Sequence, residues 1–127
     1  MITEKDLETM GYFEHFGDSP QYSQTLLDYS KWVEGKMLTT GHDRLVENTL
    51  GLVGEAGEVA EKIKKKIRDN NKITSDEIVK ELGDVLFYTT ALANYFLSDI
   101  GVVMEMNVAK LDDREKRGTL KGSGDNR

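Results

Sequence analysis

Apolar residues recur every three or four positions along most of the chain, which is the spacing of amphipathic α-helices. This pattern predicts four helices, at about residues 19–37, 43–68, 75–97 and 100–116. We therefore predict an all-α fold, a bundle of four to five helices.

Local sequence marks several helix ends. Ser19 suits an N-cap and Pro20 the first helical position, where the missing N–H of proline costs nothing. Thr74 and Glu77 fit a capping box at the start of the third helix. Gly118 suits the C-terminal stop of the fourth helix.

The helical pattern divides the chain into three parts. Residues 1–18 mix acids, glycines and aromatics without a sustained period and are expected to form an N-terminal arm. Residues 19–118 form the predicted helical domain, and a length of 127 residues fits one such domain. Residues 119–127 are Gly-rich toward their end and are expected to be a flexible C-terminal tail.

The composition predicts a modest core. The third helix carries a stripe expected to be buried, which includes Leu82, Leu86 and Phe96. Only 38% of residues are hydrophobic and 31% are charged, and helical chains of this kind often complete their core by association. We therefore expect a homodimer or a homotetramer.

Charge and cysteine content exclude several classes of function. A net charge of −6 argues against polynucleotide binding, because no positive field is available to release counterions from phosphates. Small phosphorylated ligands need only a local basic cluster or a bound metal. No apolar run reaches the length of a membrane span, and the first residues lack a signal-peptide layout. The chain has no cysteine, so it offers no disulfide or thiolate site. We predict a cytoplasmic protein without membrane contact.

Two acidic pairs stand out in the second and third helices. Glu55 and Glu58 are three residues apart, and Glu81 and Asp84 repeat that spacing. In a helix this spacing places both members of a pair on one face, so the two pairs are able to face each other. Four carboxylates repel unless cations neutralise them, and an all-oxygen set suits Mg²⁺, with Mn²⁺ as a substitute. These four residues are the predicted metal ligands.

A simpler interpretation treats the glutamates of the second helix as solvated charges that pair with lysines four residues on. We accept it for Glu61. For the other two the matching acidic pair in the third helix favours a metal site. Gly51 and Gly54 flank the acidic face, where they either clear room for a ligand or allow close helix packing.

The fourth helix carries a cationic face that can hold phosphate oxygens. Its members follow one another at intervals of three, four and three residues: Asn107, Lys110, Arg114 and Arg117. The alternative is that Lys110 and Arg114 pair in water with Asp113 or Glu105. In the first helix, Trp32 and Tyr29 either stack on a base or belong to the core, which is the commoner place for aromatics.

The acidic segments resemble the signature of the MazG-like branch of the all-α nucleoside triphosphate pyrophosphohydrolases. That signature is Glu-Glu-x-x-Glu, followed after a gap by Glu-x-x-Asp. Glu55 and Glu58 match the second and third glutamates, and Glu81 and Asp84 match the closing pair. Gly54 departs from the pattern, because it occupies the place of the first glutamate. The resemblance extends over about residues 22–117, and the Gly-rich end is similar to phage and cyanobacterial members.

The resemblance implies an Mg²⁺-dependent enzyme that cleaves nucleoside triphosphates to monophosphate and pyrophosphate. Metal-activated water would attack the α-phosphorus, with Glu55 or Glu58 as the base. The predicted substrate-binding residues are those of the cationic face together with Trp32 and Tyr88. Deoxynucleotides, guanine first, are the expected substrates by analogy with phage-type relatives.

Two other classes of function stay open at this point. One is a non-catalytic module, either a nucleotide sensor or a helical interaction partner, and the sensor would bind triphosphate without releasing pyrophosphate. The other is a ferritin-like di-iron bundle, which the absence of Glu-x-x-His pairs disfavours.

Overall fold

The computed structural model describes Lys5, residues 26–70 and residues 72–122. These residues contain no strands, and the helices in chain order are α1 Leu26–Glu34, α2 Gly41–Arg68, α3 Ser75–Tyr95 and α4 Ile100–Lys116. The predicted all-α class is confirmed. The predicted helix start at Ser19 and Pro20, the arm apart from Lys5, and tail residues 123–127 lie outside the described residues.

α1 ends at Glu34, three residues before the predicted position. Gly35 follows directly, and glycine inside a helix costs roughly 1 kcal/mol relative to alanine. The N–H of Lys36 bonds to the carbonyl of Val33 at 2.9 Å, a shorter loop than the helical one. This tighter turn ends the helix.

α3 and α4 end in the same way, with one residue in the left-handed conformation. Leu97 has a φ of 59° and Gly118 a φ of 68°. In both cases the next N–H reaches back five residues, to the carbonyls of Ala93 and Arg114. The predicted stop at Gly118 is confirmed, whereas α3 ends two residues before the predicted Leu97.

α2 and α3 form an antiparallel hairpin. The turn leads into the predicted capping box: the Thr74 hydroxyl accepts from the Glu77 N–H, and the Glu77 carboxylate accepts from the Thr74 N–H. Three contacts along the hairpin give its register: Arg44 with Tyr95, Gly51 with Tyr88, and Lys62 with Glu77. From one contact to the next, α2 advances by as many residues as α3 goes back. This constant register identifies which residues of the two helices lie side by side along the whole hairpin.

α1 and α4 pack against the C-terminal half of α3. The Asn94 amide donates to the Ser30 carbonyl at 2.8 Å, and the Ser30 hydroxyl accepts from the Ile100 N–H at 3.1 Å. The small core of the described residues lies here, with Val33, Ala91, Ala93 and Ile100 as its buried hydrophobic members. Between the helices of the described part, α2 and α4 make no direct packing contact.

An ion pair ties α1 to the start of α2. Arg44 donates two hydrogen bonds to the Glu34 carboxylate, at 2.7 and 2.6 Å, and a third at 3.5 Å to the Ala91 carbonyl. The hydrogen bonds from Arg44 lower the pKa of Glu34 below its ordinary value. This pair joins α1 to α2 at the end of the bundle opposite the capping box.

Many large apolar side chains are exposed in the described chain. The prediction that Leu82, Leu86 and Phe96 are buried is wrong for the single chain, because no described element covers them. On α2, Val46, Leu50 and Val53 form an exposed stripe opposite the face that packs on α3. The described helices include none that is both long and apolar enough to cross a membrane.

Candidate metal and substrate site

The hairpin register brings three predicted ligands together. One carboxylate oxygen from each of Glu55, Glu81 and Asp84 lies within 4.8 Å of the other two. Glu55 projects from α2, and the other two project from neighbouring turns of the facing helix α3. Glu55 and Glu81 are half-buried, whereas Asp84 is exposed. We call these three residues the acidic cluster.

Glu58 is placed differently from the other predicted ligands. It lies one turn along α2 from Glu55, is exposed, and does not belong to the acidic cluster. Its negative charge nevertheless acts on Glu55. A metal ion held by all four residues therefore requires the Glu58 carboxylate to move toward the other three.

The electrostatics of the acidic cluster favour a bound cation. Burial raises the pKa of Glu55 first, and the negative charges of Asp84, Glu81 and Glu58 raise that pKa further. Carboxylates this close together repel one another, and a bound cation would offset that repulsion. The donors are carboxylate oxygens, which Mg²⁺ and Mn²⁺ prefer, so the residues present fit the predicted metal.

A chain of aromatic rings begins beside the acidic cluster. Tyr29 stacks on Trp32 with ring centroids 5.8 Å apart, and Trp32 meets the edge of Phe87 at 6.1 Å. Phe87 in turn meets Tyr88 at 5.3 Å. Burial, and then the charge of Asp84, raises the pKa of Tyr29. The rings therefore connect α1 to the acidic cluster.

Two predicted substrate-binding residues belong to this aromatic chain. Trp32 is 47% exposed, so part of its indole is open to a ligand, and the Lys36 ammonium lies 5.4 Å from its ring centroid. Tyr88 lies one turn along α3 from Asp84, with its ring against Gly51. A Cβ at Gly51 would stand 2.3 Å from the tyrosine ring. Gly51 is therefore explained by close packing, and it determines where Tyr88 lies.

The cationic face is not joined to the acidic cluster within the described chain. Asn107 and Lys110 are exposed on α4 and line an open cavity of about 540 Å³ with Val103, Met104 and Met106. Arg114 is buried, with 4% exposure, and the Arg117 guanidinium bonds to the Asp113 carboxylate at 2.7 and 2.8 Å. The four predicted phosphate contacts thus occupy three different environments.

Sequence reasoning missed Phe87, which belongs to the aromatic chain, and Lys62, which lies beside the acidic cluster. Phe87 lies three residues after Asp84, a helical interval that could have indicated its place. Lys62 lies four residues after Glu58, so helical spacing alone predicts an ion pair on its own helix. Its ammonium instead lies 3.7 Å from Glu81 and 3.8 Å from Glu77, both on α3. Pairing across two helices cannot be read before their register is known.

Comparison with known proteins gives a family match and a similar phage protein. The MazG nucleotide pyrophosphohydrolase domain matches residues 44–119, which include the acidic cluster and all four residues of the cationic face. Gene 37 protein of Mycobacterium phage L5 is 46% identical over 83 residues, with 62% of this chain and 73% of that protein covered by the match. The search of solved structures gave no significant match.

Proposed function

The chain belongs to the MazG nucleotide pyrophosphohydrolase family, and we propose that it hydrolyses nucleoside triphosphates to the monophosphate and pyrophosphate at its acidic cluster. The observation that carries this proposal is the meeting of three carboxylate oxygens within 4.8 Å across α2 and α3. These side chains belong to the matched part of the chain, and their chemistry suits a divalent cation.

The proposed metal ligands are Glu55, Glu81 and Asp84, with Glu58 joining them. A bound Mg²⁺ or Mn²⁺ supplies positive charge to the triphosphate and lowers the pKa of a water molecule. Glu55 or Glu58 accepts the proton of the water that attacks the α-phosphorus. The reaction needs no protein nucleophile, because positioning and charge stabilisation are the main demands of phosphoryl transfer.

The aromatic chain is the proposed place for the nucleoside. Trp32 is partly exposed, so a base is able to stack against the open part of its indole, and Tyr88 holds the sugar or base beside the metal. Deoxynucleotides, guanine first, are the proposed substrates, following the resemblance to phage-type members.

The cationic face is the proposed support for the outgoing pyrophosphate. Asn107 and Lys110 are exposed on α4 and line its open cavity. Arg114 and Arg117 complete the proposed set, at the end of α4. Each charge-assisted contact stabilises the negative charge that develops on the leaving group.

We also propose a homodimer or homotetramer. The exposed stripe on α2, with Leu50 and Val53 each 66% exposed, has no cover from the described chain. Apolar surface of this kind is normally buried against another subunit. Light scattering checks the assembly, and a stable species near the chain mass of 14.3 kDa contradicts it.

The test of the activity is direct. The purified protein is incubated with each ribonucleoside and deoxynucleoside triphosphate, with and without Mg²⁺, and monophosphate and pyrophosphate are quantified. Equimolar release of both products only with metal is expected. Metal-dependent nucleotide binding without pyrophosphate release would instead identify a sensor.

A further inference from the structure

Lys62 differs from the other lysines of α2 in what it faces. Lys64 and Lys65 pair with Glu61 on their own helix, and Lys66 donates to the Ile73 carbonyl in the turn. Lys62 points across the hairpin, with its side chain 26% exposed. It is thus a positive charge at the border of the acidic cluster.

The two partners of Lys62 are held in different ways. One oxygen of Glu77 accepts from both the N–H and the hydroxyl of Thr74, at 2.8 and 3.0 Å. Its other oxygen is left to face the lysine at 3.8 Å. On the opposite side Lys62 lies 3.7 Å from an oxygen of Glu81, a member of the acidic cluster. The lysine is therefore placed between a carboxylate anchored by the capping box and a predicted metal ligand.

The distances indicate what the lysine does there. Both exceed hydrogen-bond length, so Lys62 acts through its charge and does not orient either carboxylate by a directed bond. A nearby positive charge stabilises the ionised form of the crowded carboxylates in the acidic cluster. A divalent cation bound to Glu81 would meet this same positive charge and be repelled by it.

We propose that Lys62 is the internal counter-ion of the acidic cluster, stabilising the carboxylates without metal and weakening their affinity for free divalent cations. This inference rests on the proposed metal centre and deepens it. This role of Lys62 has a consequence for metal binding. A centre with reduced affinity for free metal binds the metal more readily together with a triphosphate than alone, because the phosphates supply compensating negative charge.

The test is calorimetric titration of the full chain with MgCl₂, in wild type and in Lys62→Met. Methionine keeps an unbranched side chain and removes the charge. A unit charge about 6 Å from a divalent ion, in a mostly aqueous setting, predicts binding tighter by roughly threefold to tenfold in the variant. The metal-free melting temperature of Lys62→Met should fall, and the rise on adding Mg²⁺ should exceed that of wild type.

Two further variants isolate the charge and its position. Lys62→Arg keeps the charge and should bind Mg²⁺ as wild type does. Lys65→Met is the matched control, because it removes a lysine of the same helix whose partner, Glu61, lies outside the acidic cluster. Its Mg²⁺ affinity should change by less than about twofold, the effect expected of a screened surface charge.

The outcomes separate this inference from the proposed function. Wild-type Mg²⁺ binding with unchanged or weaker binding in Lys62→Met overturns the counter-ion role and leaves the metal centre standing. Weaker binding in particular would show that the lysine positions Glu81. Absence of Mg²⁺ binding in wild type and in Lys62→Met alike overturns both the counter-ion role and the proposed metal centre, since removing the lysine would then reveal no metal site.

Discussion

The acidic residues and the cationic face were both predicted from spacing along helices, yet the structure brings together only residues of the acidic set. The acidic residues come from two helices that pack along their length, and their carboxylates meet within 4.8 Å. The cationic residues share one helix, α4, which does not touch α2 in the described part of the chain. Charged residues at the same spacing on two helices that pack together therefore form one cluster. Charged residues spaced along a single helix share a face, but their spacing does not show what that face contacts.

The environment of each residue sharpens this contrast. Glu55 and Glu81 are half-buried at the helix interface, where burial and like charge create a need for cations. Lys110 is exposed, Arg114 is buried and Arg117 bonds to Asp113. In contrast, the three residues of the acidic cluster bring their carboxylates together at one place. The largest effects of substitution are therefore expected there.

The first prediction concerns the acidic cluster itself. Asp84→Asn replaces a charged ligand with a neutral one and is expected to lower Mg²⁺-dependent pyrophosphate release by roughly a hundredfold or more. The helical circular dichroism should be unchanged, because Asp84 is exposed and its loss relieves repulsion. Near wild-type release at saturating Mg²⁺ would refute the metal assignment.

Glu58→Gln is the companion to that experiment, because Glu58 lies outside the acidic cluster in the structure. We expect it to lower pyrophosphate release by roughly a hundredfold or more, as Asp84→Asn does, which would mean that Glu58 moves toward the metal. Activity retained in Glu58→Gln alone would limit the metal site to three residues.

The second prediction separates two members of the cationic face. Lys110→Ala should lower kcat/KM by one or more orders of magnitude with little change in stability, because it removes an exposed phosphate contact. Arg114→Ala should also lower the free energy of unfolding, by about 1–3 kcal/mol, because its side chain is buried. Steady-state kinetics and urea unfolding give both quantities. Wild-type kinetics in both variants would place the phosphate contact elsewhere.

Sequence reasoning succeeded where one helix determines the outcome, as in the capping box of Thr74 and the stop at Gly118. The spacing repeated on two helices also selected four acidic residues, three of which the structure brings together, and their role as metal ligands stays a prediction. It failed where the answer depends on what covers a side chain. Leu82 is exposed and Arg114 buried because of packing that periodicity does not encode. The partners of Lys62 required the hairpin register.

The third prediction concerns the close contact that supports the acidic cluster. Gly51→Ala places a methyl group against the Tyr88 ring and should destabilise the protein by about 1–3 kcal/mol, because the ring must move. Gly54→Ala is the matched control one turn away, where a Cβ meets no described atom within 4 Å. It should stabilise the helix by up to about 1 kcal/mol. Thermal melts compare the two, and equal effects would contradict the packing role of Gly51.

The fourth and smallest effect lies away from both regions, at the Glu34–Arg44 pair. Because the folded pKa of Glu34 is lowered, its stabilisation is present above the unfolded value of about 4.3 and is lost as pH falls through the folded pKa. Glu34→Gln should cost about 0.5–1 kcal/mol at pH 7, since the glutamate is half-exposed. The difference from wild type should shrink as the pH falls from 7 through the folded pKa of Glu34. A constant difference between pH 7 and pH 3 would contradict the ionic role.

The most direct test of the central claim follows the attacking oxygen. A deoxynucleoside triphosphate such as dGTP is hydrolysed in ¹⁸O-labelled water with Mg²⁺, and the products are examined by mass spectrometry. Attack at the α-phosphorus leaves the label in the monophosphate and unlabelled pyrophosphate, which is the result we predict. Label in the pyrophosphate, or no hydrolysis of any nucleoside triphosphate, would contradict the account.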